Sequence, residues 1–91
     1  MAMHATRPVI GIDTAKEELV IQHDDEKRHL AVDNTAAAIR QWLAGLPEGC
    51  DIAIEATSTY HMEVTERAHA KGHHVYVVDG YRLKNYREGV G

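Results

Sequence analysis

Two carboxylates in this chain stand at the ends of apolar runs. Asp13 closes Pro8-Val9-Ile10-Gly11-Ile12-Asp13, and Glu55 closes Asp51-Ile52-Ala53-Ile54-Glu55. Two carboxylates held side by side repel, and one takes up a proton unless a cation intervenes. A hard divalent ion, Mg²⁺ or Mn²⁺, suits oxygen donors of this kind. Two such ions about 3.5–4 Å apart clamp a phosphate and activate a water or hydroxyl for in-line displacement. That arrangement needs more than two carboxylates. Asp79, one strand further along, is a candidate third, although a turn at Asp79-Gly80 is the plainer reading. An Asp at a strand end also caps turns, so the chemistry depends on whether the fold brings Asp13 and Glu55 together.

Other reactive types carry less. No Cys or His spacing among the seven histidines resembles a zinc site. His61 and His69 lie two helical turns apart, too far to share an ion, and His73 and His74 face opposite sides of a strand. Cys50, the single cysteine, reads as a small semi-buried residue. Arg82, Lys84 and Arg87, interleaved with Tyr81 and Tyr86, form a basic cluster suited to nucleic-acid backbone and bases. A solvated helix face is the plainer reading of it.

The elements that must position the carboxylates follow from pattern. Val9, Ile10 and Ile12 are β-branched strand formers, with Pro8 at the strand entrance, where its missing N–H does least harm. Gly11 in the strand interior predicts close approach of another backbone or a ligand. Leu19–Asp24 and Arg28–Asp33 read as second and third strands, joined by the charged turn Asp25-Glu26-Lys27 into an antiparallel meander. Asn34 is a good helix N-cap. Ala36, Ile39, Leu43 and Leu46 then recur at helical spacing, with Trp42 flanking, up to Gly45 and Pro47. Asp51–Ala56 is a fourth strand. The hydroxyls of Thr57, Ser58 and Thr59 are suited to capping a second helix over Tyr60–Lys71, which Gly72 ends. His74–Val78, apolar on both faces, reads as a buried parallel strand. Tyr81–Glu88 is expected to form a short basic helix.

This order, β-β-β-α-β-α-β, predicts a mixed five-stranded α/β sheet in the order 3-2-1-4-5 with two main helices and a short C-terminal helix. It is the arrangement of ribonuclease H-like folds. The first and fourth strands would then be parallel neighbours, with Asp13 and Glu55 at their carboxyl ends, where open α/β sheets bind ligands.

Gly11-Ile12-Asp13-Thr14-Ala15-Lys16, then Asn34-Thr35 opening a helix, then Glu55-Ala56-Thr57-Ser58-Thr59-Tyr60, together resemble the N-terminal domain of DEDD-type insertion-sequence transposases. That group includes the Piv and MooV DNA invertases, and its domain is similar to the RuvC Holliday-junction resolvase. Each motif alone is common; their order and spacing carry the resemblance, from about Val9 to Gly91. It implies that Asp13 and Glu55 are the first two of four acidic Mg²⁺ ligands. Lys16, Thr57 and Tyr60 fall on flanking positions, for support or nucleic-acid contact. It also implies action on DNA strands in transposition or inversion, in some members with a guide RNA. The chain departs from the pattern with Ser58 where Gly is usual and Asp79-Gly80 where Asn-Pro is usual. The last two acids, in an Ala-Lys-Thr-Asp-x-x-Asp-Ala stretch, would lie beyond Gly91. The expectation is therefore an incomplete domain over 8–91, preceded by a tail at 1–7, and inactive by itself.

At 91 residues a chain is one small domain or part of a larger one, with a modest core. A formal charge of −4 argues against a stand-alone nucleic-acid binder held mainly by charge. No disulfide framework, signal-peptide core or apolar span is apparent, which fits a reducing cytoplasm and no membrane. With two main helices and strands apolar on both faces, the second sheet face is expected to drive self-association or to be covered by the short C-terminal helix, and a homodimer is the expectation. Two further classes fit part of the pattern. One is a non-catalytic dimerisation module keeping the fold. The other is a fragment of an actin-like ATPase, for which a phosphate-binding glycine loop is missing.

Overall fold

The computed structural model describes residues 8–23 and 28–79 in full, and the backbone of residues 82–85. In chain order the elements are β1 (Val9–Thr14), β2 (Glu18–His23), β3 (His29–Asp33), α1 (Ala36–Ala44), β4 (Asp51–Glu55), α2 (Met62–Ala70), β5 (His74–Asp79) and β6 (Arg82–Asn85). They form a mixed α/β fold. The sheet order is β3-β2-β1-β4-β5-β6, so the expected 3-2-1-4-5 core is present with a sixth strand at its edge. β1 pairs antiparallel with β2 and parallel with β4, and β4 pairs parallel with β5.

Alternation along each strand separates two faces. Ile10 and Ile12 of β1, Leu19 and Ile21 of β2, Ile52 and Ile54 of β4 and Val75 of β5 are buried on one face, against Ile39 and Leu43 of α1 and Val64 and Ala68 of α2. Both helices lie on that face and touch each other. Two right-handed crossovers stepping the same way across a sheet require this. The opposite face carries Val9, Gly11 and Asp13 of β1, Val20 and Gln22 of β2, and Ala53 and Glu55 of β4, and among the described residues no helix covers it.

Several local details differ from the sequence expectation. The helix predicted over Tyr81–Glu88 is instead a strand where it is described: Arg82–Asn85 pairs antiparallel with β5, from Asp79↔Arg82 to Tyr76↔Asn85. A short isolated helix is marginal in water, whereas this segment meets the unpaired backbone edge of β5. Arg87 and the turn Asp25-Glu26-Lys27 lie outside the described residues, as does the 1–7 tail. The α1 N-cap is Thr35, one residue later than expected. Its backbone is extended (φ −130°, ψ 156°) and its hydroxyl accepts the Ala38 N–H at 3.2 Å. α2 begins at Met62, and its N-cap, His61, makes no side-chain capping bond. The hydroxyls of Thr57, Ser58 and Thr59 are thus not its cap. They sit in the preceding turns, where Tyr60 N–H donates to Thr57 O and Met62 N–H to Thr59 O.

Gly72 ends α2 as expected, with a left-handed φ of 93°. His73 N–H donates to Ala68 O and Gly72 N–H to His69 O, the paired bonds of a Schellman cap. That cap delivers His73 to the start of β5, where it is buried and its Nδ1 accepts the Cys50 N–H at 3.0 Å. Among the described residues no helix is long and apolar enough to cross a membrane.

Candidate functional site

The parallel register of β1 and β4 pairs Val9 with Asp51, Gly11 with Ala53 and Asp13 with Glu55. Partners in a parallel ladder point to the same face, so both carboxylates rise side by side from the open face, at the carboxyl ends of adjacent strands. Both are exposed. The chain has little choice of register here. A shift of one residue would turn Ile10, Ile12, Ile52 and Ile54 out of the core.

The electrostatics follow from that proximity. Glu55 keeps its proton to higher pH than an ordinary glutamate. The main cause is a hydrogen bond with the Asp13 carboxyl, then the Asp13 charge, then desolvation. Two neighbouring carboxylates of like charge are an arrangement that a hard divalent cation relieves. Asp13 and Glu55 could together offer oxygen donors to a hard cation such as Mg²⁺ or Mn²⁺. Such an ion would supply charge neutralisation and lower the pKa of a bound water.

The third candidate ligand fails for a geometric reason. Glu55 pairs with Val78 of β5, so Asp79, one residue on, falls on the opposite face of the sheet. Among the described residues no group of three or more His, Cys, Asp or Glu side chains is arranged to hold a metal ion.

Below the carboxylates the open face dips. A concavity of about 420 Å³ is bounded by Gly11, Asp13, Gln22, His29, Ala53 and Glu55, among others. The close backbone approach expected at Gly11 is absent: a Cβ built there meets nothing within 4 Å. Gly11 is instead part of the floor of this depression.

The flanking residues gather at the same carboxyl edge. Lys16 is exposed in the turn after β1, which Ala15 N–H closes on Glu18 O at 3.0 Å. Thr57 is exposed in the connection from β4 to α2, and Tyr60 is half-buried just before α2. Ser58, in that connection, has φ 53°, a left-handed value that glycine adopts without strain. This is the position where the resembled family usually has Gly. Arg82 and Lys84 belong to β6 on the far edge of the sheet, three strands from Asp13, and Arg87 is outside the described residues.

Two further residues hold this edge together, neither of them a candidate ligand or nucleic-acid contact in the sequence. The Thr14 hydroxyl donates to the Glu55 carbonyl at 2.8 Å, continuing the β1–β4 ladder past its last pair. The Asn34 side-chain amide donates to Ala15 O at 2.9 Å and to Tyr60 O at 2.8 Å. The available signal was the Asn34-Thr35 pair itself. Two cap-competent residues in succession leave one free for another task.

No protein-family model matches the chain, and no curated protein matches it either.

Proposed function

We propose that this chain carries the first two acidic ligands of a Mg²⁺-dependent DNA strand-cleavage and strand-transfer site, on a ribonuclease H-like sheet of the kind used by DEDD-type transposases and invertases. The observation that supports it best is the in-register Asp13–Glu55 pair on parallel neighbouring strands, facing out of the uncovered side of the sheet. The proximity of two like charges gives the pair a reason to take up a divalent cation. Lys16 and Thr57 stand at the same edge, where a phosphate backbone would pass. Two carboxylates are fewer than two-ion chemistry uses, so the chain by itself binds a metal weakly and does not cleave DNA. DNA is the partner of the complete site.

Calorimetric titration with Mg²⁺ tests the cation part. The wild-type chain binds, and Asp13→Ala and Glu55→Gln each abolish the heat. Fluorescence anisotropy with duplex and four-way-junction DNA tests the substrate part, with binding strengthened by Mg²⁺. Failure of both, with Asp13→Ala behaving as wild type throughout, moves the reading to the second class, a non-catalytic dimerisation module. The uncovered sheet face favours that alternative.

A further inference from the structure

We propose that Asn34 is the positioning residue of the carboxylate pair: one side-chain amide ties together the segments that leave the strands bearing Asp13 and Glu55. The inference rests on reading that pair as a cation site. Its basis is the geometry around a single nitrogen. Asn34 Nδ2 donates to Ala15 O at 2.9 Å, two residues past Asp13, and to Tyr60 O at 2.8 Å, five residues past Glu55. An amide NH₂ has two donors, and both are used here on carbonyls that are far apart in sequence. The Asn34 backbone is fixed as well, since its N–H donates to Glu17 O at 3.0 Å.

The ladder between β1 and β4 stops at Asp13↔Glu55. Beyond that pair no ladder partner joins β1 to β4: β1 runs on against β2, with Ala15 N–H on Glu18 O, and β4 against β5, with Ala56 N–H on Val78 O. Among the described residues, the Thr14 hydroxyl on Glu55 O and the Asn34 amide tie the two exits to each other. Asn34 is released for this because Thr35 caps α1. Aspartate has the same shape but no donor for the two carbonyls, and Ala removes the bridge. Carboxylates whose strand exits can shift relative to each other present a cation with a less preset pair of ligands.

The test compares Asn34→Ala with Thr35→Ala in the full chain, using Mn²⁺ as the probe and the paramagnetic broadening of Asp13 and Glu55 amide signals as the readout. Thr35→Ala removes the neighbouring helix cap and serves as a control for stability loss alone. The expected result is at least tenfold weaker Mn²⁺ affinity in Asn34→Ala, with Thr35→Ala within twofold of wild type. Equal affinities in all three chains overturn the proposal. If wild type binds no Mn²⁺, the cation reading fails on its own, and amide shifts without metal decide the role of Asn34. Shifts at both Thr14–Lys16 and Glu55–Tyr60 in Asn34→Ala, absent in Thr35→Ala, uphold it. Shifts confined to the start of α1 overturn it.

Discussion

Asp13 and Glu55 interact before any ligand arrives, and the sign of that interaction is measurable. The shared hydrogen bond and the Asp13 charge raise the Glu55 pKa. The pair is therefore most comfortable at low pH, and repulsion grows as pH rises through the raised value. Asp13→Ala should return Glu55 to an ordinary glutamate titration, read from the carboxyl carbon shift by NMR against pH; an unchanged titration would show that the two side chains do not meet. Both acids were legible in sequence, because each ends an apolar run of alternating burial. Their adjacency followed once the strand order was inferred. Asn34 was not legible in its real role, since Asn before a helix signals a cap regardless of what its amide does. For Asp79 the place at a strand end was visible, but the face it takes depended on the β4–β5 register.

At the scale of elements, the helix layer has its own titrating joint. His73 sits at the end of the α2 cap, buried, with Nδ1 accepting the Cys50 N–H. Burial, then the charges of Lys71 and His74, lowers its pKa from the ordinary 6.5. A lowered folded-state pKa means that the unfolded chain binds the proton more readily. The stabilisation is thus complete above about pH 6.5 and fades as pH falls from there through the folded-state value. Denaturation midpoints between pH 8 and pH 5, compared for wild type and His73→Gln, are expected to differ in slope over that range; parallel profiles would contradict this joint. On the same helix, Thr65 is buried with its hydroxyl unpartnered. Thr65→Val should stabilise the fold by about 1 kcal/mol, since it removes an orphaned polar group at constant shape, and a lowered melting temperature would refute it. The core face of α1 was legible from spacing, Ile39 with Leu43. The sixth strand was not, because Arg82–Asn85 is strand-forming only beside the open edge of β5, a tertiary circumstance.

For the molecule as a whole, the consequence is an asymmetric sheet. One face holds the core, and the other presents Asp13 and Glu55 above a depression lined by small and half-buried side chains. Because Arg82–Asn85 extends the sheet in place of forming a helix, that segment does not cover this face. Self-association through it remains the expectation, and sedimentation velocity over a wide concentration range should give a dimer that dissociates on dilution. A single monomeric species at the highest concentration would count against it. The central claim, however, is that the Asp13–Glu55 pair is a divalent-cation site. Anomalous diffraction from crystals grown with Mn²⁺ tests it most directly. The account predicts one manganese peak bridging the two carboxyl groups, lost in Asp13→Ala; manganese bound elsewhere, or not at all, would contradict it.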